Sequence, residues 1–349
     1  MEPRWRNGRG MGRPERVHGA SSRDIASWLV ALAALAAVSL GCRRAPPPGD
    51  DAALDASTVA TSPDDASVDA SAGDGTALAE SDAADDVETI DDAPPLVEAG
   101  RVRWCPKDMV NVAGRFCIDR FEATLVDDET GEALSPHYPP EPNIAMRIFK
   151  RWEEQRLTVG PPAAREMPLP LLPAIEQGDA FRPKAVSVRG VIPQGFVSGK
   201  VAGEACTRAK KRLCTREEWA FACRGDRQTK YPYGAEYKAG VCNVYRTSHP
   251  AQILHDNASA GHSDPRLGLV KADDGPLLRT TGATKTCTSR WGKDLIYDMV
   301  GNVDEWIDDP DGTFLGGFFS RGTTNGCDSS VSTHPLLHWD YSIGFRCCR

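Results

Sequence analysis

Cysteine is the most reactive side chain this sequence holds in quantity, with 11 in 349 residues. Cys42 stands apart, and the other ten are Cys105, Cys117, Cys206, Cys214, Cys223, Cys242, Cys287, Cys327, Cys347 and Cys348. Thiolates attack, hold soft metals or close into disulfides, and spacing and compartment decide among these. There is no C-x-x-C pair, and no His stands at zinc-finger spacing from a Cys, so a structural zinc site is not expected. An even number beyond Cys42 favours disulfides formed in an oxidising compartment.

Oxygen ligands are the second chemistry. In Tyr297-Asp-Met-Val-Gly-Asn-Val-Asp-Glu-Trp306, the carboxylates of Asp298 and Glu305 and the carbonyls of Gly301 and Val303 could gather around a hard cation such as calcium. The same acids could equally cap a turn or face solvent. Asp304-Glu305 and Asp308-Asp309 would suit glycoside cleavage only if each pair flanked a cleft, and acids adjacent in sequence are expected on solvated turns. His334 and His338 stand four apart, but Pro335 breaks the helix that would align them, so surface or core roles are expected. Nucleophile-elbow, dinucleotide and Walker motifs are absent from the sequence.

Elements that would position these residues can be read from periodicity. Met109–Cys117 and Ile118–Leu125 alternate apolar and polar residues across Gly114-Arg115 and predict two strands, the first flanked by Cys105 and Cys117. Val201, Ala202, Ala205, Cys206 and Ala209 recur at helical spacing and put Cys206 on a buried face. Thr215 and Glu218 have capping-box spacing, predicting a helix through Cys223 that stops near Gly225, with a turn at Tyr231-Pro-Tyr-Gly234. Residues 135–183 are proline-rich, with one short helix predicted over Ile144–Leu157 and no assignable role. From Thr247 to Thr288 long polar loops are expected. The reading is α+β with abundant loops.

Charge divides the chain. Residues 1–44 carry eight Arg against three acids, and residues 45–100 carry fifteen acids and no Lys or Arg. The net charge of −8 therefore leaves about +2 for everything from Arg101 onward, which excludes a basic nucleic-acid stripe there. A basic start, an uncharged run from Ile25 to Leu40 and then Gly41-Cys42 have the layout of an export signal, too short for a spanning helix. The segment is similar to bacterial lipoprotein signals, which implies lipidation of Cys42, although Ser39 and Leu40 depart from the usual residues before that cysteine. Residues 43–100, rich in Ala and Asp, cannot collapse and are expected to be a disordered tether. The expected organisation is residues 1–42 as signal, 43–100 as tether and 101–349 as one domain. The protein would then be exported and anchored in the bacterial cell envelope, its lipid in the membrane.

Five blocks in order carry a further signal: Ala209-Lys-Lys-Arg-Leu-Cys-Thr-Arg-Glu-Glu-Trp219, Tyr231-Pro-Tyr-Gly234, Tyr297–Trp306, Gly316-Gly317 and Ile343-Gly-Phe-Arg-Cys347. Together they resemble the sulfatase-modifying-factor family, home of the formylglycine-generating enzymes, over residues 105–348. The resemblance implies a variant of the C-type-lectin-like fold, low in secondary structure. It also implies two disulfides, Cys206–Cys347 and Cys223–Cys327. Cys214, Cys242, Cys287 and Cys348 allow three pairings, of which Cys242–Cys287 with Cys214–Cys348 is taken as the expectation. Calcium at Asp298, Gly301, Val303 and Glu305 is likewise implied by the family, with Asn243 and Val244 beginning a second site whose downstream Asp is not aligned.

Catalysis is where the chain departs from the family. The family's oxidase holds copper(I) with two cysteines four residues apart just after the GG motif, and soft thiolates suit that metal. Here Gly317 is followed by Phe-Phe-Ser-Arg-Gly-Thr-Thr-Asn-Gly before Cys327, so copper is not expected. Cys327 is the single catalytic candidate of that stretch, and its distance from Cys347 matches a structural partner instead. The expectation is a non-catalytic binding or structural module for a protein or glycan ligand. The alternative is an oxygen-dependent oxidase acting on a protein cysteine, with Cys327 and a second free thiol.

Overall fold

The computed structural model describes Val102 and residues 104–349 except Gly322. The expected export signal, Cys42 and the expected tether lie outside the described residues. In chain order the strands are β1 Met109–Val112, β2 Phe116–Asp119, β3 Ala123–Asp127, β4 Pro183–Ser187, β5 Arg212–Leu213, β6 Lys271–Ala272 and β7 Gly275–Pro276. They continue as β8 Thr288–Trp291, β9 Asp294–Tyr297, β10 Asp304–Trp306, β11 Phe314–Leu315, β12 Ser330–Val331, β13 Ile343–Phe345 and β14 Cys347–Cys348. The helices are α1 Ile144–Gln155, α2 Pro162–Glu166, α3 Gly199–Arg208, α4 Arg216–Arg224 and α5 Pro250–His255. This is the expected α+β domain of short elements joined by loops.

The first two predicted strands become three. β1 and β2 form a hairpin in register Met109↔Asp119 to Val112↔Phe116. Ala113 and Gly114, both at positive φ (53° and 72°), supply the right-handed twist a tight hairpin turn needs. The second strand does not run from Ile118 to Leu125. It stops at Asp119, where Arg120 swings to Asp294 (2.9 Å), and β3 pairs instead with β4.

Two four-stranded sheets make the centre, ordered β1-β2-β14-β5 and β12-β11-β10-β13. β14 is antiparallel to both β2 and β5, whereas β10 runs parallel to β13. Because consecutive strand residues face opposite sides, Cys347 and Cys348 enter different cores. Cys347 packs with α3 residues Val201, Ala202, Ala205 and Cys206, and Cys348 packs with Trp219, Ala222 and Cys223 of α4.

The sulfur atoms close as Cys105–Cys117, Cys206–Cys347, Cys214–Cys348, Cys223–Cys327 and Cys242–Cys287. Three of these bridges join residues more than a hundred positions apart, the class expected to restrict the unfolded chain most.

Helix ends follow their local chemistry. Ser198 accepts from Val201 N–H at the start of α3, and Thr215 and Glu218 form the complete capping box of α4. Gly225, at φ 66°, ends α4 where a side chain would press on the backbone of Arg290.

The proline-rich stretch is more than irregular connection. Its α1 buries Ala145, Ile148 and Trp152 in a core shared with Tyr138 and Leu172. Below it Glu176, fully buried, accepts from Ser135 N–H through Oε2 (2.6 Å), while its Oε1 has no hydrogen-bond partner. Burial raises this carboxyl from an ordinary 4.5 to about 7.

A raised carboxyl favours folding only while protonated. Its contribution is therefore complete below about pH 4.5 and is lost as the pH rises through about 7. Glu176→Gln should match the parent at pH 4.5 and exceed it by about 3 kcal/mol at pH 8, read from urea unfolding at both pH values.

Candidate functional site

The Tyr297–Trp306 segment is bent by three residues at positive φ, Asp298 (56°), Gly301 (84°) and Asn302 (66°). Gly301 tolerates no side chain, since a Cβ there would lie 2.4 Å from the carbonyl oxygen of Asn243. Asn302 stabilises the bend by donating Nδ2–H to Glu122 Oε2 (2.8 Å) while its Oδ1 accepts from Arg279 N–H (2.9 Å) and Asn243 Nδ2–H (3.0 Å). The chain then enters β10 with Asp304 and Glu305 buried, each 1% exposed. The expectation of a solvated turn for this pair is corrected: each carboxylate is paired with an arginine and so can lie inside.

Glu305 is the centre of that arrangement. Arg346, fully buried, donates Nε–H to Oε2 and Nη2–H to Oε1 (both 2.6 Å), and Trp219 Nε1–H donates to Oε2 (2.7 Å). The same guanidinium reaches the carbonyls of Asp119 (3.2 Å) and Tyr297 (3.0 Å). A bidentate, charge-assisted fork thereby ties β10 to β2 and β9. Around it lie two further acids. Burial, then the charges of Asp298 and Glu305, push the Glu122 carboxyl well above its ordinary range. Burial raises Asp298 to about 6, although Gly282 N–H donates to its Oδ2 (2.7 Å).

Of these three buried carboxylates only Glu305 is bonded to Arg346, and the charge of Arg279 also acts on Asp298. A hard cation beside Asp298 would act against the carboxylate repulsion that, after burial, raises Glu122. Among the described residues no three His, Cys, Asp or Glu side chains are grouped to hold a metal, so a cation would need the carbonyls of Gly301 and Val303. Glu305 would have to share oxygens that Arg346 and Trp219 already occupy. Asn243 and Val244 fit the second site poorly. The carbonyl of Asn243 accepts from Asn302 N–H (3.0 Å) and its Oδ1 from Arg246 (3.2 Å), which leaves a cation next to the intended ligand.

The GG motif lies alongside. Gly316 and Gly317 are at φ 94° and 77°, and a Cβ on Gly316 would meet Met299 O at 2.9 Å and Trp219 at 3.1 Å. Gly317 N–H (3.0 Å) and Arg321 Nη2–H (2.5 Å) donate to Asp304, which burial nonetheless raises to about 6. Beyond this loop Cys327, 1% exposed, is bonded to Cys223. This corrects the candidacy of Cys327 as a redox nucleophile: its sulfur is spent on anchoring the loop to α4, and every other cysteine among the described residues is likewise bridged.

Contacts the sequence does not reveal include those of Glu122, just before β3, and Arg346, between β13 and β14, which lie far apart in the chain. A histidine cluster was equally hidden, with His249 Nε2 3.1 Å from Tyr341 Oη and His262 Nδ1 3.2 Å from Asp340 Oδ2. His334 and His338 lie on a partly buried loop with rings 4.9 Å apart.

Residues 184–333 match the sulfatase-modifying factor enzyme 1-like domain. The matched span holds four of the five motif blocks and ends before Ile343–Cys347. Over 116 residues the chain is 30% identical to the inactive C-alpha-formylglycine-generating enzyme 2 of Mus musculus, covering 33% of this chain and 31% of that protein. The chain thus spans under a third of the length of that curated relative. Among solved structures it is similar to CarF (16% identity, 67% of this chain and 85% of that one, TM-score 0.30). PvdO from Pseudomonas aeruginosa gives 14% identity, 67% and 80% coverage and a TM-score of 0.30. The Major Tropism Determinant I1 variant gives 12% identity, 70% and 52% coverage and a TM-score of 0.34.

Removing one partner of a buried pair leaves an uncompensated charge, whereas removing both does not. Arg346→Met should therefore cost about 3–5 kcal/mol, and Arg346→Met with Glu305→Met clearly less than the sum of the two single changes. Denaturant unfolding of the four proteins of this cycle measures it.

Proposed function

We propose that this chain is an exported, lipid-anchored protein whose sulfatase-modifying-factor-like domain is a non-catalytic binding or structural module. The supporting observation is the pairing of all ten cysteines between Cys105 and Cys348 into five disulfides, Cys327 included. The oxidase chemistry suggested by resemblance needs two free thiolates, and this domain has none to supply. The matched mouse protein is itself named inactive. Five disulfides point to an oxidising compartment, and among the described residues no helix is long and apolar enough to cross a membrane. In this reading a lipid on Cys42 attaches the chain, with residues 43–100 holding the domain away from the bilayer and a protein or glycan as its ligand.

Calcium belongs to the same reading as a structural ion. Asp298, the carbonyls of Gly301 and Val303, and Glu305 would hold it, and Glu122 would add charge. The bound ion would neutralise the carboxylate surplus beneath β10.

Thiol titration of the mature protein under denaturing, non-reducing conditions should find none of the ten cysteines free, and peptide mapping should find Cys42 acylated. Two reactive thiols, one of them Cys327, would return the chain to the oxidases. For calcium, thermal unfolding with the ion and with chelator should differ by about 2–3 kcal/mol once free calcium is about a hundred times its Kd. Asp298→Asn should abolish that difference.

A further inference from the structure

The hairpin turn between β1 and β2 and the outer face of α4 enclose an open groove of about 850 Å³ that the site above does not use. Its apolar lining is Ala113, Phe116, Ala220, Phe221, Leu315 and Cys327. Arg115, Arg216 and Arg224 stand around it, with Glu217, Glu218 and Asp328 as the acids of the same rim. Those acids and arginines are unequally engaged. Asp328 pairs with Arg224, and Glu218 is held by Arg212 through two contacts of 2.6 Å as well as by its capping role. Arg216 reaches Asp309 only at 3.7 Å. Arg115 lies 4.9 Å over the Phe221 ring and, among the described residues, has no ion-pair partner within 4.0 Å.

The chain ahead of the domain arrives at this groove. Val102 donates its N–H to Gly114 O (2.8 Å) and accepts from Asn111 Nδ2–H (3.0 Å), and Gly114 is part of the groove wall. Just upstream the sequence reads Asp91-Asp-Ala-Pro-Pro-Leu-Val-Glu98. Leu96-Val97 is the one place in residues 45–100 where two large aliphatic residues adjoin, and it is flanked by Pro94-Pro95 and by Asp91, Asp92 and Glu98. From Val102 back to Val97 is five residues, a reach of about 17 Å when extended. Pro94-Pro95 favours an extended conformation, which lowers the entropy lost on docking.

We propose that the groove between the β1–β2 turn and α4 is the docking surface for the chain's own segment Pro94–Glu98. Leu96 and Val97 would lie over Phe116, Phe221 and Leu315, and Glu98 and the acids before Pro94 would meet Arg115 and Arg216. Docking needs neither the lipid nor calcium, and it fixes where the tether leaves the domain.

Amide hydrogen exchange of the full mature chain tests this, with each rate normalised to its intrinsic value. The amides of Leu96, Val97 and Glu98 should exchange at least about tenfold more slowly than those of residues 60–85. Leu96→Asp, and separately Arg115→Glu with Arg216→Glu, should bring them back to the rate of residues 60–85. The five disulfides and the melting temperature should remain as in the parent, showing that the variants still fold. Equal rates across residues 60–98 in the parent would overturn the proposal, as would protection that survives both variants. Protection that grows with protein concentration would also overturn it, because the segment would then occupy the groove of a second copy.

Discussion

Everything at the centre of this domain turns on the encounter of Arg346 with Glu305. A guanidinium and a carboxylate, both removed from water, are tolerated here because the guanidinium makes four hydrogen bonds, to the two carboxylate oxygens and to the carbonyls of Asp119 and Tyr297. Those acceptors belong to β10, β2 and β9. The pair therefore sets the spacing of three strands that have few backbone hydrogen bonds of their own. Trp219 adds α4 to the same point through its indole N–H. Three strands and one helix thus converge on one buried ionic contact.

The next two residues extend the constraint. Cys347 and Cys348 follow Arg346 directly, and strand alternation sends one toward α3 and the other toward the α4 core. The three-residue run made of β14 and the residue just before it thus carries an ion pair and two disulfides. Asp119 completes the junction by accepting Cys347 N–H (3.0 Å) and pairing with Lys211 (2.6 Å). The sulfur atoms of both cysteines are thereby committed to the scaffold.

Much of this was legible in the sequence where chemistry is local. The capping box at Thr215 and Glu218, the α3 face carrying Cys206 and the α1 helix follow from spacing within a few residues. The Cys105–Cys117 staple follows from its short separation. What could not be read involves partners far apart in the chain. The burial of Asp304 and Glu305 depends on Arg321 and Arg346, 17 and 41 residues onward, and local pattern without those partners favours a solvated turn. Glu122 joins its neighbours across 180 residues, and the break in the second predicted strand comes from a side chain reaching Asp294 across 174. The small core under the proline-rich stretch was hidden for a similar reason, since Tyr138, Trp152 and Leu172 meet only once the loops have folded.

The spacing of the cysteines also governs how this chain must mature. Cys206 and Cys214 lie eight positions apart, yet their partners stand 141 and 134 residues downstream. As the chain is made from its N-terminus both emerge well before those partners. An oxidant acting on the nascent strand would join them to each other or to Cys223. Such mispairings resolve only by thiol–disulfide exchange, which is slow without an isomerase. Wherever such mispairing occurs the native set is reached by equilibration, and the yield of this protein in an oxidising compartment should follow the isomerising capacity of that compartment.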